Sequence, residues 1–146
     1  MNFKIRSAST RDIQAWATLR QKLWPSTIEK HITDISTSFN DKEFLCFVVE
    51  DENKNLIGFL EACIRKYANG CEHQPVLFAE GIWVDQSHRR NKIANTLIEK
   101  LEVWGKANGY KEICSDCGIE NHISIQAHNA WGFKETERVV YFRKKI

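Results

Sequence analysis

Glu80-Gly81-Ile82-Trp83-Val84 leads through a short polar connection into Arg89-Arg90-Asn91-Lys92-Ile93-Ala94. An apolar run of strand character ends there and an amphipathic helix begins. The loop and first helical turn are rich in basic residues. Free backbone N–H groups at a helix start and the positive end of the helix dipole favour an anion. Arg89, Arg90 and Lys92 add full positive charge, and a diphosphate is the natural occupant. Glu80 carries a carboxylate on the strand that feeds this loop.

Outward from this junction, the chain reads as alternating strands and helices. Phe3 to Arg6 alternates and predicts a first strand. Thr10 is placed to cap a helix with apolar positions Ile13, Trp16, Leu19 and Leu23, stopped by Pro25. Ser26-Thr27-Ile28-Glu29 has capping-box spacing and starts a second helix toward Phe39. Phe44–Val49 and Leu56–Ile64 form a hairpin about the turn Asp51–Asn55. Tyr67–His73 is a polar loop, and Val76–Val84 is the strand entering the junction. The helix after it spans Asn91–Asn108, with Ile93, Leu97, Leu101 and Trp104 on one face, and Gly109 ends it. Glu112–Cys117 reads as a strand, Asn121–Trp131 as a helix stopped by Gly132, and Phe133–Lys145 as strand structure around a turn. The order is that of an α/β sandwich with a mixed sheet.

The 146 residues, 42% hydrophobic and 27% charged, suit one globular domain over 1–146 with a proper core. A net charge of +2 demands neither nucleic acid nor membrane as partner. No run is apolar and long enough for a transmembrane helix. Met1-Asn2-Phe3-Lys4-Ile5 lacks a signal-peptide pattern, so a cytoplasmic location is expected. Five cysteines, Cys46, Cys63, Cys71, Cys114 and Cys117, are odd in number and scattered. That argues against a disulfide framework. Cys114-Ser115-Asp116-Cys117 has no second pair to complete a zinc site, so these thiols are read as strand-embedded and no metal is expected.

The junction and the element order together resemble the GCN5-related N-acetyltransferase superfamily. Its signature, Q/R-x-x-G-x-G/A, reads here Arg89-x-x-Lys92-x-Ala94, with Lys in place of the first Gly. The resemblance implies a mixed, mostly antiparallel sheet flanked by helices, with a splayed central strand pair. It implies acetyl-CoA in the resulting cleft. Backbone groups of Ile82, Trp83 and Val84 would pair with the pantetheine arm, and Arg89 to Ala94 (Arg89, Arg90, Asn91, Lys92, Ile93, Ala94) would bind the pyrophosphate. Lys92 can serve phosphate provided its backbone need not adopt φ > 0. A second landmark is Asn121…His128-x-x-x-Gly132-Phe133. In the superfamily the Asn bonds the pantetheine and a Tyr protonates the departing thiolate. His128 stands at the Tyr position, where a His can donate that proton or be an ordinary helix residue.

The resemblance narrows to the short aminoglycoside 6′-N-acetyltransferases that confer antibiotic resistance. Leu23-Trp24-Pro25, Tyr67-x-Asn69-Gly70-Cys71, Glu80-Gly81-Ile82, Ser115-Asp116, Glu135–Val139 and Phe142–Lys145 carry it. It assigns substrate contact to Trp24, Tyr67, Glu80, Asp116 and Glu137. The chemistry agrees, because a polycationic sugar wants spaced carboxylates and an aromatic wall. The expected reaction is direct attack by the 6′-amine on the thioester. Glu80 is the candidate base, Asp116 shares the ammonium, and His128 is the candidate acid. A homodimer is expected on the resemblance alone. Alternatives are the same chemistry on a polyamine, peptide N-terminus or lysine, a nucleic-acid module using His88–Lys92 on phosphate, or an inactive fold that senses CoA.

Overall fold

The computed structural model describes residues 2–146, and Met1 lies outside them. Its elements are β1 (Lys4–Ser7), α1 (Ile13–Leu23), α2 (Ile28–Phe39), β2 (Phe44–Glu50), β3 (Leu56–Arg65), β4 (Val76–Val84), α3 (Ile93–Ala107), β5 (Ile113–Cys114) and α4 (His122–Ala130). The sheet order follows the chain, β1-β2-β3-β4-β5. The first three pairings are antiparallel and β4–β5 is parallel. This is the mixed sheet that the element order predicts, and the mostly antiparallel one that the resemblance implies.

Burial on both sheet faces explains why β2, β3 and β4 read as nearly continuous apolar runs. One face packs Phe47, Val49, Leu60, Leu77 and Ala79 against Ile93, Leu97, Ile98 and Leu101 of α3. The other packs Val48 and Phe59 against Trp16, Leu19 and Ile35 of α1 and α2. The helix starts differ from the caps read in the sequence. Asp12 reaches back to the N–H of Ser9 at 2.7 Å, so a 3-10 turn over Thr10–Asp12 precedes α1 and Ser9 takes the cap position. At α2 it is Thr27 whose hydroxyl oxygen accepts from the N–H of Lys30, at 3.1 Å. Arg6 ties this corner together, gripping Asp12 at 2.7 and 2.8 Å and pairing also with Glu50. The Arg6 guanidinium holds the Asp12 carboxyl down at about 2.

Two further expectations fail for one reason. Strand pairing after the junction covers only Leu77↔Ile113 and Phe78↔Cys114. The predicted strand Glu112–Cys117 therefore shrinks to Ile113–Cys114, because Ser115 onward peels away from β4. The predicted strands over Phe133–Lys145 do not form: residues 133–146 are irregular, with Phe142 92% exposed. A strand needs a partner ladder, and the tail has none among the described residues. No helix among the described residues is long and apolar enough to cross a membrane.

Candidate active site

The divergence of β5 from β4 opens the sheet. Gly58, Phe59 and Leu60 of β3 pair with Val84, Trp83 and Ile82 on one side. The other edge of Ile82–Val84 faces a cleft of about 560 Å³. The end of α1, β4, the start of α3, the segment after β5, and α4 wall it. An unpaired strand edge beside an apolar cleft is where an extended ligand can add its own amide groups to the ladder.

Acidic residues gather at the other end of this edge. The β3–β4 register slips so that Glu61 faces Gly81 while Ala62 faces Ala79, leaving Glu80 as the extra residue. Such a bulge re-aims a side chain, and here Glu80 lines the cleft with Asp116. The bulge also explains Gly81. The Trp24 ring lies so close that a Cβ at Gly81 would overlap it. Trp24 caps α1, and its ring is 6.2 Å from that of Phe59, with the Arg20 guanidinium 5.0 Å away.

The Glu80 carboxylate is heavily partnered. Arg65 Nε donates to Oε1 at 2.9 Å and Nη2 to Oε2 at 2.8 Å, while the Cys63 thiol donates to Oε1 at 2.7 Å. Burial, then the adjacent Glu80 carboxylate, pushes the Cys63 thiol up to about 12, so it remains a neutral donor. The sequence reading included neither partner. The one available signal was their i, i+2 spacing on a strand opposite Glu80.

His128 and Asn121 both line the cleft from α4. Asn121 caps that helix, its side-chain oxygen accepting from Ser124 N–H at 3.1 Å. His128 is held at both nitrogens, with Nδ1 2.7 Å from the Ser124 carbonyl and Nε2 2.9 Å from the Ser115 hydroxyl. A proton on Nδ1 satisfies that carbonyl, so in the neutral ring Nε2 accepts from Ser115. Ser115 also lies 3.1 Å from the Ala79 carbonyl, across the mouth of the splay. When Nε2 is protonated, the hydroxyl turns to that carbonyl instead.

The basic junction takes a form the sequence did not predict. Arg90 and Lys92 have φ of +67° and +59°. The Lys92 backbone therefore does adopt the left-handed conformation for which glycine is favoured, contrary to the condition set in the sequence, while its exposed side chain keeps its charge at the junction. Residues in this conformation before a helix turn successive N–H groups into an anion-binding concavity. Arg89 is committed to the strand end, with Nε donating to the Val84 carbonyl at 3.0 Å and its guanidinium 4.8 Å over Trp83. Ala94 lines the cleft, whereas Ile93 is buried in the core under α3.

Tyr67 and Glu137 stand apart from the cleft lining. Tyr67 is 61% exposed, and its hydroxyl donates to Asn69 at 2.9 Å. Thr136 presses against Gly70 at φ +77°, which puts the Glu135–Glu137 segment beside the Tyr67 loop. This loop corrects the cysteine reading. Cys71 and Cys114 form a disulfide, their Cα atoms 6.4 Å apart across 43 residues of sequence. Glu112 reinforces the link by accepting from the N–H groups of Glu72 and His73, both at 2.8 Å. Cys46, Cys63 and Cys117 are free. The sequence could not show this pair, because only the packing of the loop on β5 brings the sulfurs together.

One buried carboxylate lies behind the cleft. Glu61 is 3% exposed, accepts from Trp16 Nε1 at 2.8 Å and pairs with Arg20 at 3.4 Å. Burial outweighs these partners and raises its carboxyl to about 7. A lone Glu within the apolar run of β3 was the visible signal.

This geometry agrees with known proteins. The model of the acetyltransferase (GNAT) family matches residues 13–133. The aminoglycoside N(6′)-acetyltransferase type 1 of Acinetobacter haemolyticus is 41% identical over 143 residues, covering 97% of this chain and 98% of that protein. The aminoglycoside antibiotic 6′-N-acetyltransferase AAC(6′)-Ih from Acinetobacter baumannii superposes with a TM-score of 0.95 at 37% identity, covering 99% of each chain. AAC(6′)-Iy, solved with the bisubstrate analogue CoA-S-monomethyl-acetylneamine, superposes at 0.92 with 36% identity over 100% of each chain. With the splayed sheet in place and the match spanning most of its length, the chain belongs to the acetyltransferase (GNAT) family.

Proposed function

We propose that the protein transfers the acetyl group of acetyl-CoA to the 6′-amine of aminoglycoside antibiotics and so confers resistance to them. The observation that carries this reading is the free edge of β4, running from the basic α3 junction to Glu80 and Asp116 in one cleft. A single path thus offers cation, backbone donors and carboxylates in the order that a diphosphate, a pantetheine arm and an ammonium require. Relatives named aminoglycoside N(6′)-acetyltransferase supply the substrate class.

Acetyl-CoA supplies an activated thioester. The N–H groups of Arg90 to Ile93 hold its diphosphate, and Arg90 and Lys92 add charge. Ile82, Trp83 and Val84 align the arm along β4, with Asn121 on the opposite wall. Trp24 offers an apolar face to the sugar, Tyr67 and Glu137 meet its outer rings, and Asp116 holds an ammonium. Glu80 takes the proton from the 6′-ammonium, directly or through a water. The freed amine attacks the thioester carbonyl, which β4 N–H groups polarise. A bond forms from nitrogen to the acetyl carbon and the bond to sulfur breaks. With both ring nitrogens of His128 protonated, Ser115 gives its hydroxyl proton to the sulfur and takes one from Nε2, and the proton that nitrogen loses on becoming an amide returns to Nε2. Holding both substrates in register contributes most of the rate.

The test is CoA release with tobramycin against an analogue bearing a 6′-hydroxyl. Turnover with tobramycin alone supports the reaction and its position. Turnover with neither, while acetyl-CoA still binds, moves the substrate to another amine. Glu80→Gln should depress turnover more than acetyl-CoA binding, and unchanged turnover would remove Glu80 as base.

The reading extends to a cytoplasmic homodimer. A cytoplasmic location supplies acetyl-CoA. For the dimer, Val140, Tyr141 and Phe142 are exposed in the tail. Among the described residues the outer edge of β5 is unpaired, and beside it a hollow of about 250 Å³ is lined by Tyr110, Trp131 and Phe133. A monomer by light scattering at micromolar concentration would count against the dimer.

A further inference from the structure

Glu80, the group that receives the substrate ammonium in the reading above, already holds a cation. A carboxylate has about four lone-pair sites. Arg65 fills one on each oxygen, at 2.9 and 2.8 Å, and the Cys63 thiol takes a third at 2.7 Å. The Arg65 guanidinium also lies 3.6 Å from the centre of the Phe78 ring, a hold that does not depend on Glu80. Both side chains of the pair are partly open to solvent, 39% for Arg65 and 27% for Glu80. The pair can therefore open without stranding a buried charge, and Phe78 retains the released guanidinium nearby.

We propose that Arg65 is a resident counter-cation of Glu80 which the incoming ammonium displaces, so that the cleft selects polycations over single amines. This rests on the aminoglycoside reading above and assigns a selectivity device to that same site. Exchanging one cation for another at Glu80 returns little net attraction, so a substrate with a single ammonium gains almost nothing there. A polycation places further charges on Asp116, which lines the same cleft, and those contacts drive the exchange. Arg65 is thus a positioning residue. While paired, it holds the Glu80 carboxylate toward the cleft and occupies the lone pairs that would take the substrate's proton. Once displaced, it leaves those lone pairs to the substrate.

The test compares tobramycin with methyl 6-amino-6-deoxyglucoside, which carries one amine, on the wild type, Arg65→Gln and Arg65→Lys. Arg65→Gln should raise kcat/KM for the single amine about tenfold relative to tobramycin. Arg65→Lys should return the ratio toward the wild type. The Arg65 side-chain Nε–H resonance, identified by its loss in Arg65→Gln, should shift on saturation with tobramycin and stay in place with acetyl-CoA. An Nε signal unmoved by saturating tobramycin, or an equal loss of kcat with both substrates in Arg65→Gln, would make Arg65 a fixed scaffold and overturn the proposal. Wild-type enzyme that fails to turn over tobramycin would overturn the underlying reading, and this proposal with it. Wild-type turnover with an unchanged selectivity ratio would sink the proposal alone.

Discussion

The Ser115 hydroxyl stands 2.9 Å from His128 Nε2 and 3.1 Å from the Ala79 carbonyl, at the point where β4 and β5 part. His128 lines the cleft with its Nε2 engaged by that hydroxyl. The two residues should act as one unit. Ser115→Ala is expected to lower kcat about tenfold or more while leaving the KM for acetyl-CoA nearly unchanged. The double variant with His128→Gln should be little worse than the worse single. Additive losses in steady-state kinetics would separate the two residues.

Gly81 lies under the Trp24 ring, and a side chain there would overlap it. Phe59 and Arg20 back that ring, so it cannot simply swing aside. Gly81→Ala is expected to raise the KM for an aminoglycoside several-fold through loss of the aromatic wall, and to destabilise the fold by about 1–3 kcal/mol. Urea unfolding and kinetics on one preparation measure both effects.

Glu61 couples stability to pH. Its carboxyl, at about 7 in the folded protein, lies above its ordinary value of 4.5. The folded state then binds more protons than the unfolded state, so stability is fully present below about pH 4.5 and falls as pH rises through 7. The decline amounts to about 3 kcal/mol. Glu61→Gln keeps the acceptor for Trp16 and should flatten that limb, read as urea midpoints from pH 5 to 8. A limb that persists in the variant would assign the decline to other groups.

Lys92 sits at φ +59° ahead of α3. An L-residue there costs about 1–2 kcal/mol, part of which glycine returns as unfolded-state entropy. Lys92→Gly is expected to stabilise the protein by about 0.5–1 kcal/mol and to weaken acetyl-CoA binding about three- to tenfold at low salt. Calorimetric titration and thermal unfolding separate the two. Unchanged affinity would leave the phosphate role to the backbone alone.

Much of the fold is legible in the chain because its signals are local. Strand β4 begins and ends where the apolar run Val76–Val84 does, and α3 follows its heptad-like apolar face to Gly109 at φ +84°. Turn residues, caps and periodicity act within a few positions, so a reader needs only neighbours. The carboxylates, the basic junction and the family resemblance were visible for the same reason. Tertiary structure alone decided the rest, since it depends on register and on partners far along the chain. A one-residue bulge at Glu80 sets which side chains it meets, and Arg65, fifteen positions away, becomes its counter-ion. Packing of a polar loop on β5 joins Cys71 to Cys114. The loss of β4 pairing after Cys114 shortens one predicted strand and opens the cleft, while the tail, lacking a ladder to join, remains irregular. A strand forms only with a partner ladder, so strand-like sequence at 115–117 and 133–145 did not ensure that strands form there.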